Sequence, residues 1–274
     1  IDRGVLTGAM TMNGEATKRY KTCGGEPITI ETSHTGSDYS WKTLDGQTVS
    51  GTTSISVTPT MTTTYVLSLT NVCETSDTVT VEVHPLSVQA DWTGLNKTVC
   101  EGDAFSASLT LTGYDATQSG SYIRWYKGGE ELTAYADQPS LNVTGAKAED
   151  AGIYSYKVSN GVCEMPETED SGELTVVTPA TYTQSEGVVS CSGEAVEISV
   201  TLNEADATLL WSDDAMAEAT RTVAPTLNTE YAFTITRSDV CVTKGAVRVD
   251  VRKNPSVSIE DVTLCEGGSQ TLKA

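Results

Sequence analysis

Residues 152–163 read GIYSYKVSNGVC, and with the preceding Asp150 they form a D-x-G-x-Y pattern. Tyr154 opens a run in which apolar or aromatic residues alternate with polar ones, which is typical of a half-buried β-strand. In a run of this period Tyr154 and Tyr156 lie on the same face, toward the interior. A cysteine follows only at Cys163, beyond the end of the run. The stretch therefore predicts a strand that places two tyrosines in a core and ends before its cysteine.

The same arrangement recurs along the chain. Four cysteines each open a C-x-G triplet, and an alternating apolar strand follows the first three triplets, for example Ile28 and Ile30 after the first. Such internal periodicity indicates a protein built from repeated domains. The triplets begin at Cys23, Cys100, Cys191 and Cys265.

Each of the first three repeats continues with one tryptophan on a short strand and then a tyrosine that opens another alternating strand. A second cysteine comes eight to ten residues after that tyrosine, at Cys73, Cys163 and Cys241. Short strands around one central tryptophan predict an all-β protein made of two-sheet antiparallel sandwiches, with almost no helix. The predicted core residues are Trp41, Tyr65, Trp125, Tyr154, Tyr156, Trp211 and Tyr231.

The repeats set the expected domain boundaries. We expect three sandwich domains at residues 13–85, 86–178 and 179–255, and the start of a fourth, truncated domain at 256–274. Half a sandwich cannot bury its own apolar face, so we expect the chain to be part of a longer protein. Residues 1–12 are unassigned and are interpreted as the tail of a preceding unit.

The order C-x-G, Trp, P-T-x-x-T-x-Y, Cys, as it stands from Cys191 to Cys241, resembles the tandem immunoglobulin-like and PKD-like repeats of Bacteroidetes surface and secreted proteins. The resemblance covers residues 20–274 and implies an extended array of immunoglobulin-like sandwiches, used as a stalk or an adhesin. The middle repeat departs from the pattern, because it lacks P-T-x-x-T and its segment 148–154 resembles an I-set immunoglobulin turn.

Seven cysteines without a C-x-x-C pair, beside two isolated histidines, His34 and His84, favour disulfides in an oxidising compartment over a zinc site. Pairs within a repeat would be 23–73, 100–163 and 191–241. In an immunoglobulin-like sandwich, however, the two cysteines of one repeat lie at opposite ends, about 20 Å apart, whereas pairs between neighbours, 23–163 and 100–241, satisfy the geometry. We favour the pairs within repeats by a small margin, because repeats usually fold as units.

Charge and composition exclude several classes of function. There are 37 acidic and 17 basic residues, a net charge of −20, which would repel a nucleic acid. No apolar run is long enough to insert in a membrane. The acidic clusters Asp213-Asp214 and Glu164, Glu167, Glu169, Asp170 lack the spacing of a calcium loop, so no metal or other cofactor is expected. Neither histidine stands beside a recognisable nucleophile, and we interpret both as surface residues of a non-catalytic protein.

The middle repeat holds six of the eleven tyrosines. Strand parity places Arg124 and Tyr126 on the outside of the sheet, and Tyr114 and Tyr122 flank a polar loop. Exposed tyrosines beside polar loops are typical of recognition sites for sugars or proteins. The alternative is that these rings cover domain edges, and Trp92 is interpreted as packing at a domain junction. The candidate ligand-binding residues are Tyr114, Tyr122, Arg124, Tyr126 and Tyr135.

We therefore expect a cell-surface or secreted adhesion or stalk protein without catalytic activity, whose partner is a glycan or an extracellular protein. Two alternatives remain: a purely structural spacer, and accessory domains of a larger secreted enzyme. The divergent middle repeat favours adhesion, because a spacer gains nothing from it, whereas the regular outer repeats favour the spacer.

Overall fold

The computed structural model describes residues 8–36, 38–70, 74–166, 170–213, 217–258 and 261–271. Within them are 24 β-strands, two single-turn 3₁₀ helices, Thr133–Tyr135 and Ala148–Asp150, and no α-helix. The all-β fold class is confirmed. The chain divides into two compact units, one formed by Ile1–Lys97, Ala104–Thr144 and Asp150–Thr175, the other by Thr98–Asp103, Gly145–Glu149 and Val176–Ala274.

The first repeat forms two sheets in the strand orders β1-β3-β6 and β2-β8-β7-β4-β5. Strand β2 runs parallel to β8, and all other pairs are antiparallel. The strands are β1 (Met10–Met12), β2 (Arg19–Thr22), β3 (Ile28–Thr32), β4 (Asp38–Thr43), β5 (Thr48–Val49), β6 (Ser54–Val57), β7 (Thr63–Thr70) and β8 (Glu74–Val83).

The middle repeat forms the orders β14-β11-β9 and β10-β17-β15-β12-β13, and β16 also pairs with β15. The opening stretch of the sequence is β15. The strands are β9 (Ser87–Asp91), β10 (Lys97–Cys100), β11 (Phe105–Thr112), β12 (Ser121–Lys127), β13 (Glu130–Glu131), β14 (Ser140–Val143), β15 (Gly152–Asn160), β16 (Glu164–Met165) and β17 (Ser171–Val177).

The third repeat forms the orders β18-β20-β22 and β19-β24-β23-β21, with β19 parallel to β24. Its strands are β18 (Tyr182–Gln184), β19 (Val188–Cys191), β20 (Val196–Leu202), β21 (Ala207–Trp211), β22 (Thr220–Val223), β23 (Thr229–Arg237) and β24 (Cys241–Arg252).

Each core is centred on its tryptophan. Trp41, Trp125 and Trp211 have no exposed surface, and the ring N–H of each donates to a backbone carbonyl 2.8–2.9 Å away. The residues directly opposite them in the neighbouring strand are Leu67, Tyr156 and Phe233. These tryptophans and the apolar or aromatic residues opposite them pack the cores, and neither of the two disulfides crosses a core. Tyr65, Tyr154 and Tyr156 are buried as well, whereas Tyr231 is half-buried beneath Arg221.

Trp92 lies in the core of the middle sandwich, so its interpretation as a junction residue is wrong. Its ring centroid is 5.9 Å from that of Trp125 and 6.0 Å from that of Tyr156. Gly172 makes room for it, since a Cβ there would lie 2.6 Å from Trp92 Cε3. The indole N–H donates to Asp170 Oδ1 over 2.8 Å, so the buried polar group of the ring has a hydrogen-bond partner.

The start of the first domain also needs correction. The interpretation of residues 1–12 as the tail of a preceding unit is wrong for residues 10–12, because β1 pairs with β3 in the register Met10↔Thr32 to Met12↔Ile30. Residues 1–7 lie outside the described residues. Met10 and Met12 are buried in the first core. The strand is too short for its period to be read from sequence. At the other end, the described residues from 253 to 271 contain no strand.

Two disulfides join neighbouring repeats, Cys23–Cys163 and Cys100–Cys241. The favoured pairing within repeats is therefore wrong for these four cysteines, and the pairing between neighbours is the one found. Its Cα–Cα distances are 5.4 and 4.9 Å, within the reach of a disulfide. Cys191 and Cys265 are free and exposed, and Cys73 lies outside the described residues.

Candidate functional site

The outer face of the middle sandwich carries a row of large polar side chains. Strand parity places Tyr122, Arg124 and Tyr126 of β12 on the side opposite the buried Ile123 and Trp125. Arg124 lies opposite Lys157 of β15, and Tyr126 lies opposite Ser155. We call this surface the β12–β15 face.

A charge network spans the β12–β15 face. The Arg124 guanidinium lies 2.7 Å from Glu131 Oε2 and its carbon lies 5.0 Å above the centre of the Tyr122 ring. The Tyr122 hydroxyl donates to the carboxylate of Glu164, which also lies 3.6 Å from Lys157 Nζ. Two bases on the inner strands, Arg124 and Lys157, thus lie between two acids on the outer strands, Glu131 and Glu164. The side chains of Tyr122 and Arg124 are held in place by these neighbours.

Electrostatics in this network keep the phenol protonated. Burial raises the pKa of Tyr122 to about 12, and the hydrogen bond to Glu164 adds to the effect. The hydrogen bond to Glu131 raises the pKa of Arg124 as well. At neutral pH the face presents the neutral Tyr122 phenol, as an ordinary tyrosine would, beside the permanent cation of Arg124.

A groove of about 640 Å³ opens at the end of this face near Tyr126. It lies beside the point where β15 changes its partner strand, from β17 at Ser155↔Ser171 to β16 at Val158↔Met165. Strand irregularities of this kind often adjoin binding sites. The volume suits a sugar or a few amino-acid side chains. The lining includes Tyr126, Ile153, Ser155, Lys157, Pro166 and Asp170.

The groove combines apolar and polar walls. Ile153 is 56% exposed although it is a large aliphatic residue. Asp170 accepts hydrogen bonds from Trp92 Nε1 and, over 3.1 Å, from the Tyr156 hydroxyl, so its carboxylate is fixed from the core side. An apolar contact beside rigid polar groups is the usual composition of a small recognition pocket.

The structure separates the two other candidate tyrosines from this row. Tyr135, in a 3₁₀ turn, donates its hydroxyl to Asn142 O of β14, which belongs to the opposite sheet. Tyr114 precedes β12 in the loop, where burial and the carboxylates of Asp137 and Asp115 raise its pKa. Of the five predicted residues, Tyr122, Arg124 and Tyr126 therefore share one face. Sequence reasoning missed Lys157, Ile153 and Asp170, although strand parity could have indicated Lys157.

Equivalent positions in the outer repeats have different chemistry. Alignment on the buried tryptophan places Asp38, Ser40 and Lys42 of the first repeat, and Thr208, Leu210 and Ser212 of the third, where the middle repeat has Tyr122, Arg124 and Tyr126. All three strands have the same role in their sandwich, so the fold does not require the tyrosines.

The histidines do not form a recognisable catalytic site. His34 is buried, contrary to the interpretation of a surface residue, and its Nε2 lies 3.0 Å from Asp77 Oδ2. His84 Nε2 lies 3.8 Å from Glu82 Oε2. No group of three or more His, Cys, Asp or Glu suited to a metal ion occurs among the described residues. Three members of the acidic clusters, Glu167, Glu169 and Asp214, lie outside them.

No protein-family model matches the chain, and no curated protein matches it. Among solved structures, an I-band fragment of titin is similar with a TM-score of 0.50 and 12% identity, and an E-to-A variant of that three-immunoglobulin-domain fragment with 0.51 and 13%. Each comparison covers 90% of this chain and 97% of the titin chain. At such identity the likeness shows the fold, a tandem array of immunoglobulin-like domains. No helix of the described part of the chain is long and apolar enough to cross a membrane.

Proposed function

We propose that this is a non-catalytic adhesion or stalk protein of a bacterial cell surface, whose middle repeat binds a glycan or an extracellular protein through the β12–β15 face. The observation that carries the proposal is the row Tyr122, Arg124, Tyr126, which the outer repeats replace by other residues at the same strand positions. Tyrosine and arginine are the residues that most often dominate recognition surfaces.

Three further observations support it. The disulfides favour an extracytoplasmic location, because such bonds persist in oxidising compartments. The motif order from Cys191 to Cys241 resembles repeats of Bacteroidetes surface and secreted proteins. The rigid network around Tyr122 lowers the entropy that its side chains lose on binding.

A combined glycan and extracellular-matrix protein array tests the proposal. The full chain is compared with a Tyr122→Ala/Tyr126→Ala variant, and we expect a specific signal that falls at least about tenfold in the variant, as expected for loss of anchor residues. The matched control is Tyr114→Ala/Tyr135→Ala, which removes two tyrosines of the same repeat away from the face and should retain the signal. Thermal unfolding of each variant verifies that it is folded.

The array results separate the possibilities. A signal lost equally in both double variants, or only in the control, would refute the choice of the β12–β15 face. A signal on glycans would assign the partner class to carbohydrate, and a signal on matrix proteins would assign it to protein.

The second candidate function is a structural spacer, and the disulfides between successive repeats favour it. A disulfide between neighbouring repeats limits how far the two repeats can separate when one of them unfolds. This function predicts that the protein binds to no glycan or matrix protein on the array. It also predicts that reduction of the disulfides lowers the resistance of the protein to unfolding.

A further inference from the structure

The last glycine of the C-x-G turn makes the same backbone hydrogen bond in all three repeats. Its N–H donates to a carbonyl in the turn before the tyrosine strand, from Gly25 to Pro59 O over 3.0 Å, from Gly102 to Ala146 O over 2.7 Å and from Gly193 to Pro225 O over 3.0 Å. The φ values of these glycines are +79°, +94° and +79°, a region that other residues rarely adopt. The turn therefore fixes the position of the preceding cysteine in each repeat.

The two disulfides that form at these turns share a second feature. The partner sulfur lies against a carbonyl at the end of the last strand of the preceding repeat, 3.0 Å from His84 O for Cys163 and 3.1 Å from Val177 O for Cys241. Both partner cysteines are nearly fully buried and each follows a valine, in the pairs Val162-Cys163 and Val240-Cys241.

Cys191 stands in the same setting as the bonded Cys100. The residue after it, Ser192, donates its backbone N–H to Arg252 O over 3.0 Å, as Glu101 after Cys100 donates to Val177 O over 2.8 Å. Arg252 is thus the counterpart of Val177, whose carbonyl contacts the bonded Cys241. The Cys191 thiol itself is free and exposed.

We propose that Cys191 forms a third disulfide between repeats, in the role that Cys23 and Cys100 have in the first two. Its partner is the cysteine that follows a valine in the turn after the tyrosine strand of another repeat of this kind. In this third disulfide the sulfur of the partner cysteine lies against Arg252 O. Two bonded examples with the same turn carry the inference, so it does not depend on the exposure of one thiol.

Bond formation is an oxidation. The thiols of Cys191 and of the partner together lose two protons and two electrons, and a low-molecular-weight disulfide such as oxidised glutathione accepts them and is reduced to two thiols. The exchange proceeds through a mixed disulfide on the exposed Cys191 sulfur.

The test supplies such a repeat in a known sequence. A second copy of residues 180–255 is inserted directly after Pro255 of the full chain, so that the copied Cys241 stands one repeat after Cys191, as Cys241 stands after Cys100. The copy carries Cys191→Ser, so that the natural Cys191 is the thiol measured. It also carries Val242→Ile at an exposed position, which distinguishes the copied Cys241 peptide from the natural one by mass. Both proteins are refolded in a glutathione redox buffer. Alkylation without reduction, followed by peptide mass spectrometry, then measures the fraction of Cys191 that is a free thiol. We expect Cys191 to be alkylated in the natural chain and at least about tenfold less in the extended one, with its peptide linked to the copied Cys241.

A matched variant of the extended chain carries Cys241→Ser only in the copied repeat, and alkylation of Cys191 should return there. Retention of a free Cys191 in the extended chain would overturn the proposal, provided that the Cys100–Cys241 link is found and the extended protein is folded. A link between Cys191 and Cys265 instead of the copied Cys241 would overturn it as well.

Discussion

Tyr156 lies edge-on to Trp125, their ring centroids 6.2 Å apart, and Trp92 covers both rings. Three aromatic side chains thus occupy the volume between the sheets, where packing contributes a few kcal/mol for each buried ring. The cluster has little tolerance for added volume, because Gly172 already contacts Trp92. The chemistry of these rings leads to two predictions.

Gly172→Ala should destabilise the protein by about 1–3 kcal/mol, since its Cβ would lie 2.6 Å from Trp92 Cε3 and the indole must shift within a packed core. The control is Gly145→Ala, whose Cβ would meet nothing closer than 3.9 Å, and which we expect to change stability by less than about 0.5 kcal/mol. Urea unfolding followed by tryptophan fluorescence measures both. Equal effects of the two substitutions would contradict the packing argument.

Stability should fall in strongly alkaline solution because of the buried tyrosines. Burial raises the pKa of Tyr154 and of Tyr156 from 10.0 to about 12, and the charges of Asp150 and Asp170 add to the effect. The neutral phenol is thus favoured in the folded state, so its contribution is complete below pH 10 and is lost as the pH rises from 10 through 12.

The measurement is the free energy of unfolding from pH 8 to pH 12, with phenolate absorbance recorded in parallel. Tyr156→Phe should reduce the slope above pH 10, because one of the titrating groups is gone. An unfolding free energy that is flat from pH 10 to pH 12 would show that neither phenol has a raised pKa.

The turn after β15 is the element that links the middle repeat to the first. Asn160 is buried, and its Oδ1 accepts from the N–H groups of Val162 and Cys163 over 3.1 and 2.8 Å. Its Nδ2 donates to His84 O and Gly113 O over 3.2 and 3.1 Å. One side chain thus satisfies four backbone groups beside the Cys23–Cys163 bond.

Asn160→Ala should therefore cost about 2–4 kcal/mol, because it leaves buried backbone donors and acceptors without partners. Asn142→Ala is the matched control, since Asn142 is exposed and its amide donates to the Ser140 hydroxyl within its own strand. Thermal and urea unfolding compare the two variants. A loss below about 0.5 kcal/mol for Asn160→Ala would mean that water replaces the amide without cost.

The elements that sequence predicts well are those whose signal is local. Alternation located the tyrosine strands, and the residues opposite the tryptophans, such as Tyr156, could be placed by counting along the strands. Strand parity also placed Arg124 and Tyr126 together. The groove could not be predicted, because it lies where β15 changes its partner strand from β17 to β16, and the alternation of residues in β15 carries no sign of that change.

Features that depend on two distant segments were predicted less well. Trp92 stands in a stretch with no counterpart in the other repeats, and the space for its ring is provided by Gly172 on another strand. The cysteine pairing depended on which end of a sandwich each turn occupies. The two cysteines of one repeat lie about 20 Å apart, one strand length, and this distance indicated the correct pairs. The expectation that each repeat folds as a unit, on which the favoured pairing relied, was the less reliable argument.

At the scale of the whole molecule, each disulfide is contained in one compact unit. Cys23 and Cys163 belong to the first unit and are 140 residues apart, and Cys100 and Cys241 belong to the second and are 141 apart. Loops of this length remove much conformational entropy from the unfolded chain, about 5 kcal/mol in the chain-entropy model. The bonds therefore stabilise contacts between segments that are remote in sequence. Loss of one bond should destabilise the unit that contains it.

Cys23→Ser/Cys163→Ser should lower the free energy of unfolding of the first unit by about 3–5 kcal/mol and leave the second unit nearly unchanged, and Cys100→Ser/Cys241→Ser should do the reverse. Hydrogen exchange read peptide by peptide distinguishes the units, and non-reducing peptide mapping of the parent protein verifies both links. Cys191→Ser is the control, since an exposed free thiol should contribute less than about 0.5 kcal/mol. Equal loss of protection in both units for either double variant would mean that the whole chain unfolds as one cooperative block. A peptide linking Cys100 to Cys163 would instead restore the pairing within repeats.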